Sequence, residues 1–111
     1  MSRNFYSDDE IESFEVRTDG NTLVVSGEID AAVATDLEIE LGAFAVTAKE
    51  LPVEVDMSGV SFIGSAGVAA LSNIHQVVDG LMVLRNPSPE VVRVLSLTDK
   101  TPVFKTVHVD L

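Results

Sequence analysis

A serine at the start of a predicted helix is the residue in this 111-residue sequence best placed to do chemistry. Ser65 follows Gly64 and lies in a stretch from Met57 to Val78 that contains no Asp, Glu, Lys or Arg, although these four types make up 23% of the chain. Its hydroxyl can cap the helix by accepting a hydrogen bond from a free backbone N–H. It can also act as a nucleophile, or carry a phosphate whose charge the helix dipole favours.

A catalytic role for Ser65 requires neighbours that the sequence does not supply. Ser65, Asp99 and His108 follow the chain order of an α/β-hydrolase triad. The nucleophile elbow of that fold needs Gly-x-Ser-x-Gly, however, and Ile63 stands where the first glycine should be. We therefore expect a protein that is not an enzyme, and the cap and the phosphate remain as roles for Ser65.

The titratable residues also offer no strong metal or cofactor site. Asp30 and Asp56 are expected near each other at adjacent strand ends, where two carboxylates would hold Mg²⁺ only weakly. The two histidines have no partner at ligand spacing, and the absence of cysteine excludes thiolate ligands and disulfides. We predict no metal and no cofactor, with Asp30 as a helix cap and Asp56 in a loop.

The charge of the chain restricts its partners. A formal net charge of −11 and a pI of about 4.3 disfavour direct binding to nucleic acid or to anionic lipid. The uncharged stretch is long enough to cross a bilayer, but its polar residues Asn73, His75 and Gln76 and its acidic flanks argue against membrane insertion. The N-terminus is acidic and carries no signal peptide, so a cytoplasmic protein with a basic or mixed partner is expected.

The elements that must position Ser65 follow from hydrophobic spacing and turn residues. Residues 1–12 are predicted to be a flexible acidic tail, and residues 13–111 a single domain. Its order is β-β-α-β-α-β-α-β, which predicts an α/β fold: a mixed sheet of four to five strands with a leading hairpin and about three crossover helices. The predicted elements are a hairpin from Phe14 to Ile29, a helix from Ala31 to about Thr47, a strand from Leu51 to Val55, a loop from Asp56, a helix from Ser65 to about Val78, a strand from Leu81 to Leu84, a helix from Pro89 to about Thr98 and a last strand from Lys105 to Val109.

The helix that begins at Ser65 has two unlike faces. Val68, Leu71 and Ile74 lead a stripe of core-facing residues at helical spacing. Ala66, Ala69, Asn73 and Gln76 lie on the opposite face, where an acidic protein would ordinarily place charges. Small neutral side chains allow close approach by another backbone, so this face is either covered by a loop of the same chain or recognised by a partner.

Three segments resemble the STAS domain, and in particular the bacterial anti-sigma factor antagonists. These are Ser-Gly-Glu-Ile-Asp ending at Asp30, Val-Glu-Val-Asp-Met-Ser-Gly-Val ending at Val60, and Phe-Ile-Gly-Ser-Ala-Gly-Val ending at Val68. The family pattern is a strand ending in Gly-Glu-hydrophobic-Asp, then Asp-hydrophobic-Ser-x-Val, then Asp-Ser-Ser/Ala-Gly-hydrophobic before a helix. The resemblance covers the chain from about Phe14 to Val109 and agrees with the predicted element order.

This resemblance implies a phosphorylation switch. The regulatory serine of the family falls on Ser65. The unphosphorylated antagonist binds an anti-sigma factor that is an ATP-dependent serine kinase, phosphorylation by that kinase releases it, and a phosphatase resets it. Asp30 and Asp56 match family acids close to the switch. The predicted partner-binding residues are Asp30, Asp56, Ser58, Gly64, Ser65, Ala66, Ala69 and Asn73.

The chain departs from the family pattern at two places. Gly64 replaces the usual acid before the serine, which is expected to weaken kinase recognition or serine positioning. The sequence stops at Leu111, where many members add a final helix, and this is expected to expose apolar surface or alter a binding edge. The alternative function is therefore a phosphorylation-independent STAS interaction module in a transport or signalling assembly, in which Ser65 is only a cap.

Overall fold

The structure, a computed structural model, describes residues 14–97 and 104–109. The predicted acidic tail lies outside the described residues. The elements alternate as the sequence predicts, which confirms the α/β fold class. They are β1 (Phe14–Asp19), β2 (Thr22–Ile29), α1 (Ala31–Thr47), β3 (Val53–Ile63), α2 (Ser65–Val77), β4 (Met82–Arg85), α3 (Pro89–Leu97) and β5 (Lys105–Val107).

The five strands form one mixed sheet in which the spatial order is the order along the chain. β1 and β2 make the predicted antiparallel hairpin, whose turn contains Gly20 at φ 64°. β2, β3, β4 and β5 are parallel, and each connection between them contains one helix. Parallel strands need such a crossover because the chain must return to the starting edge of the sheet. The leading hairpin and the three crossover helices are therefore confirmed.

One face of the sheet carries the core. In β3 the buried residues Val53, Val55 and Met57 alternate with the half-buried acids Glu54 and Asp56, as expected for a strand with one face covered. The helices contribute the side chains that the periodicity predicts, and the hydrophobic cluster is continuous from β2 to α3. Its buried members include Leu23, Val25, Ile29, Leu37, Leu41, Val53, Val55, Met57, Val68, Leu71, Ile74, Leu84 and Val91.

The third strand is longer than the sequence predicts. The predicted strand ends at Val55 and a loop leads to Ser65, whereas β3 continues through this segment as far as Ile63. It stays paired with β2 through two register shifts, one of them beside Gly59. A Cβ on Gly59 would lie 2.8 Å from the Cβ of Ser26, so glycine is needed where the strands approach closely. The predicted loop was wrong because a bulge interrupts the two-residue alternation by which a strand is recognised.

The helix boundaries follow from local capping. A carboxylate oxygen of Asp30 accepts hydrogen bonds from the backbone N–H groups of Ala32 (3.0 Å) and Val33 (3.3 Å), which confirms the predicted cap of α1. The hydroxyl of Ser88 accepts from the N–H of Val91 at 3.2 Å and caps α3 in the same way. Both caps satisfy donors that the first turn of a helix leaves free.

Replacing the α1 cap is expected to have a modest and chemically selective effect. Asp30→Ala removes both acceptor contacts and should lower the free energy of unfolding by about 1 kcal/mol. Asp30→Asn keeps an acceptor oxygen and should remain within a few tenths of a kcal/mol of the parent protein. Urea unfolding followed by circular dichroism measures both. Equal losses in the two variants would mean that the charge of Asp30, and not its acceptor oxygen, supports α1.

Candidate functional site

Two helices begin side by side at the carboxyl edge of the sheet. Ile29 at the end of β2 is paired with Ile63 at the end of β3, so the residues that follow them, Asp30 and Gly64, are neighbours. The N–H of Gly64 donates to the carbonyl of Ile29 at 2.9 Å and ties the two strand ends together. Helix N-termini carry partial positive charge, and α1 and α2 present theirs at the same edge.

The two helix starts differ in how their free N–H groups are satisfied. α1 has the Asp30 carboxylate, whereas the N-cap of α2 is Gly64, with φ −97° and ψ 179°, and no side chain caps its first turn. Ser65 is the first helical residue, so the predicted role of Ser65 as the cap is wrong. A cap residue needs an extended backbone, and here Gly64 adopts it. The Ser65 side chain is exposed beside an uncapped helix start.

Gly67 allows the first turn of α2 to lie directly on the strand ends. A Cβ at this position would be 2.7 Å from Cγ2 of Ile29 and 2.8 Å from Cγ1 of Ile63, and both isoleucines are almost fully buried. No larger side chain fits without displacing the helix or repacking the core. The close contact at Gly67 therefore fixes where Ser65 stands relative to the edge of the sheet.

The uncharged face of α2, formed by Ala66, Ala69, Asn73 and Gln76 and named here the neutral stripe, is open to solvent. Ala69, Asn73 and Gln76 are exposed and Ala66 is half-buried, so the interpretation that a loop covers this face does not hold for them. The side-chain amide of Asn73 donates to the carboxylate of Glu38 on α1, at 3.3 Å from each oxygen. This contact marks the border between a neutral surface on α2 and an acidic flank on α1.

An aromatic residue that the sequence reasoning overlooked stands next to Ser65. Phe62 is 49% exposed, and its ring would be 3.6 Å from a Cβ placed on Gly64. It also borders a groove between the end of β3 and α3 that includes Val91 and Arg93. The signal was present in the sequence as an aromatic residue three positions before Ser65, but the segment from Asp56 was predicted to be a loop.

Asp56 does not share this edge with Asp30. Asp56 is opposite Val24 and Arg85 in the register of the sheet, and it precedes Ile63 by seven residues. At about 3.3 Å per strand residue, the separation along β3 is on the order of 20 Å. The predicted proximity of Asp30 and Asp56 is therefore wrong, because β3 extends beyond Asp56. The Asp56 carboxylate instead accepts from the N–H of Ser58 at 2.9 Å.

The structure brings the other predicted site residues together. Ser65 is the first residue of α2, so it lies beside the start of α1 and at one end of the neutral stripe. Asp56 and Ser58 lie on β3, away from this edge of the sheet. Those grouped at the edge and along the stripe are Asp30, Gly64, Ser65, Ala66, Ala69 and Asn73. Their partner-binding roles, and those of Asp56 and Ser58, remain predictions.

Within the part of the chain that the structure describes, no three His, Asp or Glu side chains lie close enough together to hold a metal ion. Asp99 of the hydrolase-like order lies outside the described residues, and the ring of His108 has its Nε2 3.3 Å from the carbonyl of Pro87. Among the helices of this same part, none has the length and apolar character needed to cross a membrane.

Comparison with known families identifies the architecture. The sequence profile of the STAS domain matches residues 13–109. The chain belongs to the STAS domain family. A search of curated protein sequences finds no significant match to this STAS domain.

Two solved structures have the same fold as this STAS domain. It superimposes on the anti-sigma factor antagonist SpoIIAA in its unphosphorylated form with a TM-score of 0.61 and 21% identity, over 88% of this chain and 89% of the other. It also matches SpoIIAA, described as a Bacillus cell fate determinant, in the phosphorylated form, with a TM-score of 0.58 and 19% identity, over 88% and 92%. At this identity the likeness establishes the fold.

Gly64 of this STAS domain is expected to accept an acid without strain. Its φ is one that any residue adopts, and a Cβ there meets only ordinary contacts, the nearest at 3.6 Å from the Phe62 ring. Gly64→Asp should therefore raise the free energy of unfolding by a few tenths of a kcal/mol, because an aspartate oxygen caps the first turn of α2. Gly64→Ala, the matched variant without an oxygen, should be about 1 kcal/mol less stable than Gly64→Asp in urea unfolding. A loss above 1 kcal/mol in the aspartate variant would show that the space beside Phe62 is not available.

Proposed function

We propose that this protein is an anti-sigma factor antagonist that binds an anti-sigma factor serine kinase and is switched off by phosphorylation at Ser65. It would thereby regulate sigma-factor-dependent transcription, in the cytoplasm, by binding and not by catalysis. The observation that carries the proposal is the exposed Ser65 hydroxyl at the first position of a helix whose N-terminus has no side-chain cap. The fold of SpoIIAA, an antagonist with unphosphorylated and phosphorylated structures, supports the same role.

A phosphate at Ser65 would act differently on the fold and on a complex. The uncapped first turn of α2 offers free N–H groups and a partial positive charge, which favour an anion by roughly 0.3–1 kcal/mol. A partner that covers the neutral stripe would instead have to bury a charge of about −1.5 to −2 without compensation. That costs several kcal/mol, so the modified protein stays folded and loses its partner.

The shape of the stripe indicates how the partner would bind. Ala66 and Ala69 are small, so a backbone or a flat side chain can approach α2 closely. Phe62 is exposed close to Ser65, and a partner that covered it would bury an aromatic side chain. Aromatic side chains contribute much of the binding energy of many interfaces. Asp30 adds an acidic group at the same edge, which suits a partner with a basic or mixed surface.

The proposal is tested by capture from the native lysate with the parent protein, Ser65→Ala and Ser65→Glu as baits. Captured proteins are identified by mass spectrometry, and phosphate on Ser65 is read from the same samples. We expect an ATP-binding kinase-like protein on the parent and alanine baits and not on the glutamate bait. Ser96→Glu is the matched control, because it adds the same charge at another exposed helical serine and should retain the partner.

The alternative is a phosphorylation-independent interaction module in a transport or signalling assembly. The observation that favours it is Gly64, which occupies the position of the family acid and leaves α2 without a carboxylate at its start. In that case all baits would retrieve the same protein, and Ser65 would carry no phosphate. A phosphatase that resets Ser65 belongs only to the switch, so recovery of partner binding after phosphatase treatment also separates the two functions.

A further inference from the structure

The outward side of α1 is apolar, which is unusual for a surface helix. Ile39 is 63% exposed and Val46 is 74% exposed. The three acids of this helix do not share that position, because Asp36, Glu38 and Glu40 are all half-buried and lie to either side of it. A helix in contact with water on one side normally places its charges on that side. On α1 the apolar side chains, and not the charged ones, are the most exposed, so this face is suited to binding another protein surface.

The outward residues of α1 are spaced as in a helix-to-helix contact. Successive separations of three, four, three and four residues keep them in one line, which we name the α1 seam. Its members are Ala32, Thr35, Ile39, Gly42 and Val46. This alternation is the a/d spacing of paired helices, in which apolar knobs fit between the residues of a neighbouring helix. The seam spans most of a helix that is about 25 Å long.

The seam lies along a shallow depression that is open to solvent. Ile39, Gly42 and Val46 of α1 line it together with Ile74 of α2. A Cβ on Gly42 would be 3.5 Å from Cδ1 of Ile74, so the two helices are in direct contact there. Glu38, which accepts from Asn73, lies at the rim.

The acids beside the seam determine what can cover it. On a helical projection Asp36 lies on one side of the seam and Glu38 on the other, at the flanking positions that set partner choice in paired helices. A second copy of this chain would bring identical acids against them, and like charges at these positions repel. We propose that the α1 seam binds an amphipathic helix of another protein, with an apolar seam of its own and Lys or Arg at the flanking positions.

This surface is separate from the switch. Ser65 is on α2 and does not belong to the seam, so phosphorylation should leave the seam intact. The inference does not depend on the proposed function, since the seam would bind its helix whether or not Ser65 is modified. A partner that used both surfaces would keep part of its affinity after release from α2.

The test uses a designed 21-residue helical peptide with Leu at its seam positions and Lys at its flanking positions. The control peptide is identical except for Glu in place of Lys. Fluorescence anisotropy at 150 mM salt measures binding to the parent protein, Ile39→Gln, Leu97→Gln and Ser65→Glu. Leu97 is an apolar residue on α3 that is 71% exposed, so Leu97→Gln is matched to Ile39→Gln in exposure and chemistry.

The expected pattern is specific. The Lys peptide binds the parent protein, Leu97→Gln and Ser65→Glu equally and binds Ile39→Gln at least tenfold more weakly, while the Glu peptide binds the parent at least tenfold more weakly than the Lys peptide does. If the Lys peptide bound Ile39→Gln as tightly as it binds the parent protein, its binding would come only from attraction to the acidic surface. That result would overturn the proposal. Sedimentation that reveals a dimer broken by Ile39→Gln would also overturn it, because a second copy would then occupy the seam.

The two proposals fail in different experiments. If the lysate capture shows no dependence on Ser65, the proposed switch is wrong and the peptide titration is unaffected. If peptide binding does not depend on Ile39, the α1 seam proposal is wrong and the capture result is unaffected. Circular dichroism of each variant excludes unfolding as the cause, since Ile39 and Leu97 are both exposed and glutamine is a good helix former.

Discussion

Phosphoserine at position 65 is expected to weaken partner binding at least 100-fold while the protein remains folded. A factor of 100 corresponds to about 2.7 kcal/mol, which is within the cost of burying an uncompensated charge in an interface. The folded state should be unaffected or slightly favoured, because the uncapped start of α2 offers free N–H groups to the phosphate. The nearby Asp30 carboxylate opposes part of that gain.

Two measurements on homogeneous phosphoprotein check this result. Titration with the captured kinase gives the loss in affinity, and thermal unfolding gives the effect on stability, expected between no change and a rise of roughly 6 °C. Ser96→Glu serves again as the charge control. Ser96 lies near the C-terminal end of α3, where a negative charge should lower the stability of the protein slightly and leave partner binding unchanged. A phosphoprotein that lost its partner only because it unfolded would refute the switch.

Gly67→Ala is expected to cost about 1–3 kcal/mol of unfolding free energy. The added Cβ would stand 2.7 Å from Ile29 and 2.8 Å from Ile63, which carbon atoms in a folded core do not tolerate. Neither isoleucine can move into solvent, since they are 0% and 1% exposed at the ends of two paired strands. The helix must therefore shift outward, and Ser65 should move with it.

The matched control is another glycine in a helix. A Cβ on Gly42 of α1 finds Cδ1 of Ile74 at 3.5 Å, an ordinary contact, so Gly42→Ala should stabilise the protein by roughly 0.5–1 kcal/mol. Urea unfolding gives both values. Partner binding should fall in Gly67→Ala even under conditions where it is fully folded. If Gly67→Ala were as stable as the parent and bound normally, the close packing of α2 on the strand ends would not be what positions Ser65.

The parts of the fold that could be predicted are those in which local pattern and tertiary role agree. α1 combines a capping aspartate with Leu37, Leu41 and Phe44 at helical spacing, and the structure has the helix at the predicted bounds. α2 starts and ends where turn residues and periodicity place it, apart from one residue at its end. In both helices a single signal decides each boundary, so no competing effect displaces it.

The errors arise where two strands determine a feature together. The length of β3 depends on its register with β2, including a contact between Gly59 and Ser26 that are far apart in the sequence. Asp56 was placed at the edge only because the strand was thought to end there. The cap of α2 depends on which residue keeps an extended backbone, and the hydrogen bond from Gly64 to Ile29 holds it there.

The α1 seam was missed for another reason. Helical spacing in α1 indicates one core-facing stripe, formed by Val33, Leu37, Leu41 and Phe44, and it gives no role to the apolar residues outside this stripe. Ile39 and Val46 can be recognised as outward-facing once the opposite side is known to be buried. Periodicity locates one apolar face well, but a helix that is apolar on both sides weakens the contrast on which the method depends.

The identity of strand order and chain order has a consequence for synthesis of the protein. The two strands and two helices that position Ser65 lie between Thr22 and Val77, and each parallel pair closes across a single helix. At about 5–20 residues per second, the ribosome then needs roughly 1.5–6 s to add the 30 residues from Val78 to the end of β5 at Val107. The elements that position Ser65 are therefore fully synthesised while the last two strands of the sheet have yet to be made.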